Sequence, residues 1–475
     1  MDLNKLTIEQ AHSGLEKKEF SSVDLTKACL DQIHEEDEKL NAFITIAADQ
    51  AIESAQEIDK KIKAGKKIGV LEGVPCSIKD MILVEGMKAT AGSKILENYI
   101  APYDATVISR LKKNGAIILG KTNMDEFAMG SSGETSCFGE TKNPLDVTKV
   151  PGGSSSGSAV SVAAHEAIYS LGTDTGGSVR QPASLCGIVG FKPTYGRVSR
   201  FGVMSMASSF DQVGAFAKTV RDAAYVFEGI AGRDEFDATT VDKHVEVLKN
   251  IDKDISGLRI GVPKEFFIDG LDKKVEAVVR QSIEKVKKLG AEIVEVSLPC
   301  VKSSLAIYYI LMPAEVSSNL ARFDGVRFGY RSDSENLLEM YLKTRREGFG
   351  DEVRRRIFLG TYVLSSGYYD SYYKKAQQVR RLIKNDFDKV FQEVDCLITP
   401  TAPTTAFSLG EKFDDPMAMY LADVFTVSTN VAGLPAISIS GGKVGKMPVG
   451  VQLIGNYYEE STMLNIANKL EESLK

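Results

Sequence analysis

Between residues 73 and 299 the chain alternates short apolar runs with amphipathic helical stretches. The runs are GVPCSIKD, AIILG, AIYSLG, CGIVGF, LRIGVP and AEIVEVSLP, and the helical stretches include DATVISRLKKNG, TVRDAAYVFEGIAG and DKKVEAVVRQSIEKVKKLG. This rhythm constrains the fold more than any other feature. Strands separated by helices can lie parallel in one sheet, and such strands are apolar on both sides because helices cover both faces. The pattern predicts an α/β fold: a large mixed central sheet covered on both faces by helices. No linker interrupts the pattern, so residues 1–475 read as one domain.

Two segments depart from the rhythm. Residues 1–65 read as helical, with Thr7 capping IEQAHSGLEKKE, Ser22 capping VDLTKACLDQIHEED, and a third helix ending at Gly65. Residues 303–394 read as long helices rich in Tyr and Arg, whose aromatic residues at helical spacing are expected in the core. Strand-like pieces then return in CLITPTAP and LPAISIS.

The net charge of -6 argues against a broad nucleic-acid-binding face. The six cysteines are scattered with no CxxC pair, which signals neither a zinc site nor a disulfide framework. MDLNKLTIEQ lacks the basic start and apolar stretch of a secretion signal, and no uncharged apolar run reaches membrane-spanning length. A cytoplasmic location is expected.

Two motifs compete for attention and fail on context. GAIILGKT matches the phosphate-loop pattern, but the residues between its glycines look like a strand rather than an open turn. Gly153-Ser154-Ser155-Ser156-Gly157 matches the nucleophile elbow of α/β hydrolases, yet NPLDVTKVP before it makes a poor strand. His12, His34, His165 and His244 are the only histidines, and none is placed to be the base of such an elbow.

The glycine–serine clusters PGGSSSGSAV and LGTDTGGSVRQP remain. If a serine there is a nucleophile without histidine, its base is a carboxylate, a tyrosine or a lysine. Lys79 ends the apolar run GVPCSIKD, where burial would lower its pKa and let a neutral amine accept a proton. In TDTGGSVRQP the paired glycines permit a tight turn into a helix, aiming the backbone N–H groups of Thr175, Gly176, Gly177 and Ser178 at one spot, as an oxyanion requires. Ser178 is then the best-placed nucleophile. Ser154 can relay its proton to Lys79 if the fold brings the three together.

The set SIKD, PGGSSSGSA and GTDTGGSVRQP resembles the amidase signature family. The resemblance implies a triad of Lys79 as general base, Ser154 on a cis peptide bond as relay, and Ser178 as the acylated nucleophile. NMDEFAMGSS, KPTYGRVSRFG, SSNLARFDGVRFGY and NVAGLPAISI extend it over almost the whole chain, toward the glutaminase branch that serves tRNA-dependent amidotransferases. That branch hydrolyses glutamine and passes ammonia to a B-type subunit, which amidates misacylated tRNA, with a small C-type subunit clasping the two. The resemblance places glutamine on Tyr308, Arg356 and Asp423. It implies no cofactor or metal in this chain, with ATP and Mg used by the partner. A free-standing amidase acting on small or aryl amides is the alternative. The chain departs from the family pattern at Ser156, a usual glycine, at Gly133, a usual threonine, and at His165, a usual glycine.

Overall fold

The computed structural model describes residues 2–475. Its eleven strands, in chain order, are β1 (Phe43–Ile46), β2 (Pro75–Lys79), β3 (Ile117–Thr122), β4 (Tyr169–Asp174), β5 (Val189–Lys192), β6 (Gln212–Ala217), β7 (Arg259–Pro263), β8 (Glu292–Val296), β9 (Cys396–Pro400), β10 (Ala436–Val444) and β11 (Met447–Gly455). They form a single sheet in the order β1-β3-β2-β4-β6-β5-β10-β11-β9-β7-β8. β2 runs parallel to β3 and β4, and β7 parallel to β8 and β9; the other pairs are antiparallel, so the sheet is mixed.

Every residue of β2, β3, β4, β6 and β9 is buried. Successive strand residues face opposite sides, so these strands are covered on both faces. One hydrophobic cluster runs from Leu6 to Leu470 and includes strand and helix residues from both ends of the chain. Among the described residues no helix is long and apolar enough to cross a membrane.

The helical reading of residues 1–65 needs two corrections. Phe43–Ile46 is a strand, pairing antiparallel with β3 at the sheet edge; its run of β-branched residues suits a pleated edge better than a helix. The cap of the second helix is Ser21 rather than Ser22, because the Ser21 hydroxyl accepts from the Asp24 N–H in a capping box. Thr7 caps the first helix as expected.

Residues 303–394 form the helices Ser304–Asn319, Leu337–Gly348, Asp351–Leu364 and Lys375–Val390. Tyr308 is in the core, but Tyr362, Tyr368, Tyr369 and Tyr372 lie exposed, contrary to the expected burial. These helices sit at the surface and pack on one another and on neighbouring helical segments, so only the stripe facing those neighbours is covered. Helices Ser304–Asn319 and Asp351–Leu364 meet backbone to backbone: a Cβ on Gly360 would lie 1.8 Å from the Pro313 carbonyl oxygen.

GAIILGKT is β3 itself. Its Lys121 is fully buried and donates to the backbone carbonyls of Asp80 and Lys88, with the Asp80 carboxylate 3.4 Å away. No open loop is left there to cradle a phosphate.

Candidate active site

The parallel pairing of β2 with β4 carries Lys79, at the end of β2, to the side of Thr173 on β4. The first glycine–serine cluster arrives on the same spot and enters the helix Ser156–Ala163. The Lys79 Nζ lies 2.8 Å from each of three hydroxyl oxygens, those of Ser154, Ser155 and Thr173. Lys79 is fully buried, and desolvation brings its pKa down to about 7 against the opposing pull of Asp125, Asp174 and Asp211.

The hydroxyl hydrogens decide what this arrangement can do. Ser155 donates to the Thr173 carbonyl at 3.1 Å, and the Thr173 hydroxyl donates to the Met81 sulfur at 3.2 Å. Both can therefore only accept from Lys79. The Ser154 hydroxyl has no other partner among the described residues. A neutral Lys79 amine has two N–H donors and one lone pair, so it donates to Ser155 and Thr173 and turns its lone pair toward the Ser154 proton.

Ser178 lies beside this set. The Ser155 N–H donates to the Ser178 carbonyl at 3.3 Å, which lays one cluster against the other. The Ser178 hydroxyl makes no hydrogen bond among the described residues. It keeps 8% exposure, whereas Lys79 and Ser154 have none, so it is the member of the three that a solute can reach. The Gly153–Ser154 peptide is cis. Among the described residues no histidine bonds to any of these groups.

The turn before Ser178 is braced by residues that motif reading passed over. The Asp174 carboxylate accepts from the Gly177 N–H at 2.9 Å and from the Val179 N–H at 3.2 Å, and it is gripped by Arg180 through Nε at 3.0 Å and Nη2 at 2.9 Å. Burial pushes the Asp174 pKa upward, but the Arg180 guanidinium outweighs it and holds the group at about 2. Arg180 also donates to Thr429, Asn430 and Gln452, tying the turn to the helix Val427–Ala432 and to β11. Since the Gly177 N–H is taken, the free donors at the turn are those of Thr175, Gly176 and Ser178. Gly177 has φ +138, and a Cβ there would strike the Thr426 hydroxyl at 2.2 Å, so both conformation and space demand glycine.

Tyr308, Arg356 and Asp423 are all buried in the same neighbourhood. A Cβ on Gly176 would meet the Tyr308 hydroxyl at 2.8 Å, which places that ring against the turn. Arg356 lies near the rings of Tyr309 and Tyr420 and donates through Nε to Glu352 at 2.8 Å. Among the described residues its outer nitrogens find only the Met312 sulfur, at 3.7 Å. Asp423 accepts from the Ser131 hydroxyl at 2.5 Å; burial raises its pKa to about 7, against the pull of Ser131 and Arg356. Arg356 and Asp423 thus influence each other without forming a salt bridge. Two buried, opposite, incompletely paired charges suit a zwitterion placed between them.

Asp125, in NMDEFAMGSS, ties the loop over the site to Ser154. Its N–H donates to the Ser154 carbonyl at 3.1 Å, and its carboxylate accepts from the N–H groups of Gly133 and Thr135. The departures at Gly133 and Ser156 touch: a Cβ on Gly133 would lie 2.7 Å from the Ser156 Cβ. Ser156 begins a helix and needs no positive φ, whereas His165 does adopt φ +63. Ser155, Thr173, Asp174, Arg180 and Asp125 were missed as site residues, although Asp174 and Arg180 flank the serine as opposite charges within GTDTGGSVRQP itself. Among the described residues no group of three or more His, Cys, Asp or Glu is placed to hold a metal ion.

The amidase family profile matches residues 24–464. Over the full chain, the sequence is 55% identical to the A subunit of glutamyl-tRNA(Gln) amidotransferase from Clostridium botulinum strain Hall, covering 98% of that protein. It is 52% identical, with the same coverages, to the like-named protein of Heliobacterium modesticaldum. The crystal structure of the Thermotoga maritima counterpart, again the A subunit of glutamyl-tRNA(Gln) amidotransferase, superposes with a TM-score of 0.84 at 42% identity, covering 99% of this chain and 95% of that one. With a buried lysine under two serine clusters and a family match over nearly its whole length, the chain belongs to the amidase signature family.

Proposed function

We propose that this chain is the glutaminase subunit of a tRNA-dependent amidotransferase, with Ser178 as nucleophile, Ser154 as proton relay and Lys79 as base. The observation that carries the reading is the hydrogen accounting at Lys79, which leaves the Ser154 proton as the one that a neutral amine can take. In the reaction, rotation of the Ser178 side chain brings its hydroxyl to Ser154. Lys79 accepts the Ser154 proton, Ser154 accepts that of Ser178, and the Ser178 oxygen attacks the side-chain carboxamide of glutamine. The oxyanion receives the free N–H groups of Thr175, Gly176 and Ser178. Collapse returns the proton through Ser154 to the leaving nitrogen, releasing ammonia and leaving a glutamyl ester on Ser178, which water hydrolyses to glutamate.

Glutamine is held at its other end. The outer nitrogens of Arg356 take the α-carboxylate, Asp423 the α-ammonium, and Tyr308 closes the pocket against Gly176. This favours the amidotransferase reading over a free-standing amidase, because an apolar acyl chain would leave both buried charges incompletely paired.

Ammonia protonated in water is no longer a nucleophile, so its use on tRNA requires a protected transfer to a partner. A B-type subunit would supply ATP- and Mg-dependent activation and tRNA contacts, and a C-type subunit would clasp the pair. The similarity to proteins named as one subunit of an amidotransferase supports this assembly. The test is ammonia release from glutamine by the purified chain, alone and with the other subunits, beside a Ser178→Ala control. The proposal requires that this control abolish release; a free-standing amidase would hydrolyse amides at one rate with or without the subunits.

A further inference from the structure

Glu126 follows Asp125 in the loop over the site, and its carboxylate has different partners. Asp125 bonds to the Ser154 peptide; Glu126 reaches the helix that carries Arg356. The Glu126 Oε2 accepts from the Gly350 N–H at 2.9 Å, and Oε1 accepts from the Ser93 hydroxyl. Gly350 is the N-cap residue of helix Asp351–Leu364 and has no side chain to cap it. A Cβ on Gly350 would lie 2.4 Å from the Glu126 Oε2, so the contact is as close as a glycine permits. Ser93 lies 3.2 Å from the Gly348 carbonyl oxygen and so braces the same corner.

At its other end this helix is fixed by Gly360 against Pro313. Arg356 lies between the two fixed points, one helical turn before Gly360 and on the same inward face. A helix held at both ends cannot slide or tilt, and the guanidinium it carries inherits that constraint. The same loop holds Asp423 through Ser131.

We infer that Glu126 is a positioning residue for the substrate's α-carboxylate: through Gly350 it sets where Arg356 stands relative to the Ser154 peptide, without touching substrate itself. This rests on Arg356 gripping the α-carboxylate, as proposed above. Glu126→Ala removes both bonds and frees the helix start. Glu126→Gln keeps them, since its amide oxygen accepts from Gly350 and its amide nitrogen donates to Ser93, whose proton then turns to the Gly348 carbonyl. Burial already lifts the Glu126 pKa to about 7, so the neutral form that Gln mimics is one the site accommodates.

The test compares hydrolysis of glutamine with that of γ-aminobutyramide, which carries hydrogen in place of the α-carboxylate, by the full-length chain with any co-purifying subunits. Glu126→Ala should raise the KM for glutamine by about tenfold, the scale of one or two lost hydrogen bonds. Its kcat, and its kcat/KM for γ-aminobutyramide, should stay within about twofold, and Glu126→Gln should restore the KM. Equal loss on both amides, or no rescue by Gln, overturns the inference. Arg356→Ala is measured in parallel. If it too fails to discriminate between the amides, the α-carboxylate reading falls; if it discriminates and Glu126→Ala does not, only the inference about Glu126 falls.

Discussion

Replacing Thr173 by valine exchanges a buried hydroxyl for a methyl of similar volume and tests the hydrogen accounting at Lys79. The Thr173 hydroxyl accepts one of the lysine's hydrogens at 2.8 Å. A bond to a charged donor contributes roughly 1.5–3 kcal/mol and one to a neutral donor roughly 0.5–1.5. Losing it therefore penalises the ammonium by about 1 kcal/mol more than the amine, which is somewhat under one pH unit at 1.36 kcal/mol per unit. The apparent pKa for activity should fall from about 7 toward 6. The neutral amine, freed of one fixed acceptor, can instead donate to Ser154 and turn its lone pair away. The idle and working orientations then make the same number of hydrogen bonds at the amine, so they are about equally populated and the plateau rate falls about twofold. The assay is the single-turnover rate of ammonia release at saturating glutamine across the acid limb. A limb that moves to higher pH, or a plateau and limb both unchanged, would refute the assignment of Lys79's lone pair to Ser154.

Two further outcomes follow from the same geometry. In the free enzyme burial brings the Lys79 pKa down, and that of Asp423 up, to about 7; Lys79 must lose its proton to act as base and Asp423 must lose its own to pair with an ammonium. The logarithm of kcat/KM should then rise with a slope of about two below both values, and Asp423→Asn should reduce it to about one. Gly133→Ala should destabilise the fold by roughly 2–4 kcal/mol, from a residue forced to φ +85 and an overlap with the Ser156 Cβ. Adding Ser156→Gly should recover about 1 kcal/mol or more in a denaturation double-mutant cycle, and strict additivity would show that the two positions are independent.

The sheet was legible because burial on both faces writes continuous apolar runs, and β2, β3 and β4 stand where those runs lie. β1 escaped because four residues between two helices give no period to read. Lys79, Ser154 and Ser178 were singled out through the residue types that a serine nucleophile without histidine requires. Thr173 and Ser155 were not singled out, because their role depends on where each hydroxyl proton goes, which follows from the register of β2 against β4. Glu126 was hidden for a similar reason: it acts on Gly350, 224 residues away, through a contact that only the packed helix creates. The exposed tyrosines at 362–372 were misjudged because helical spacing shows that residues share a face without showing which way that face points.

The most direct test of the central claim is to quench the full-length chain with acid during glutamine turnover and map the peptides by mass. A serine nucleophile relayed to Lys79 predicts a glutamyl group on the peptide containing Ser178, lost in Ser178→Ala and scarce in Lys79→Arg, whose side chain stays protonated and cannot accept. A glutamyl group on another residue, or ammonia release that persists in Ser178→Ala, would contradict it.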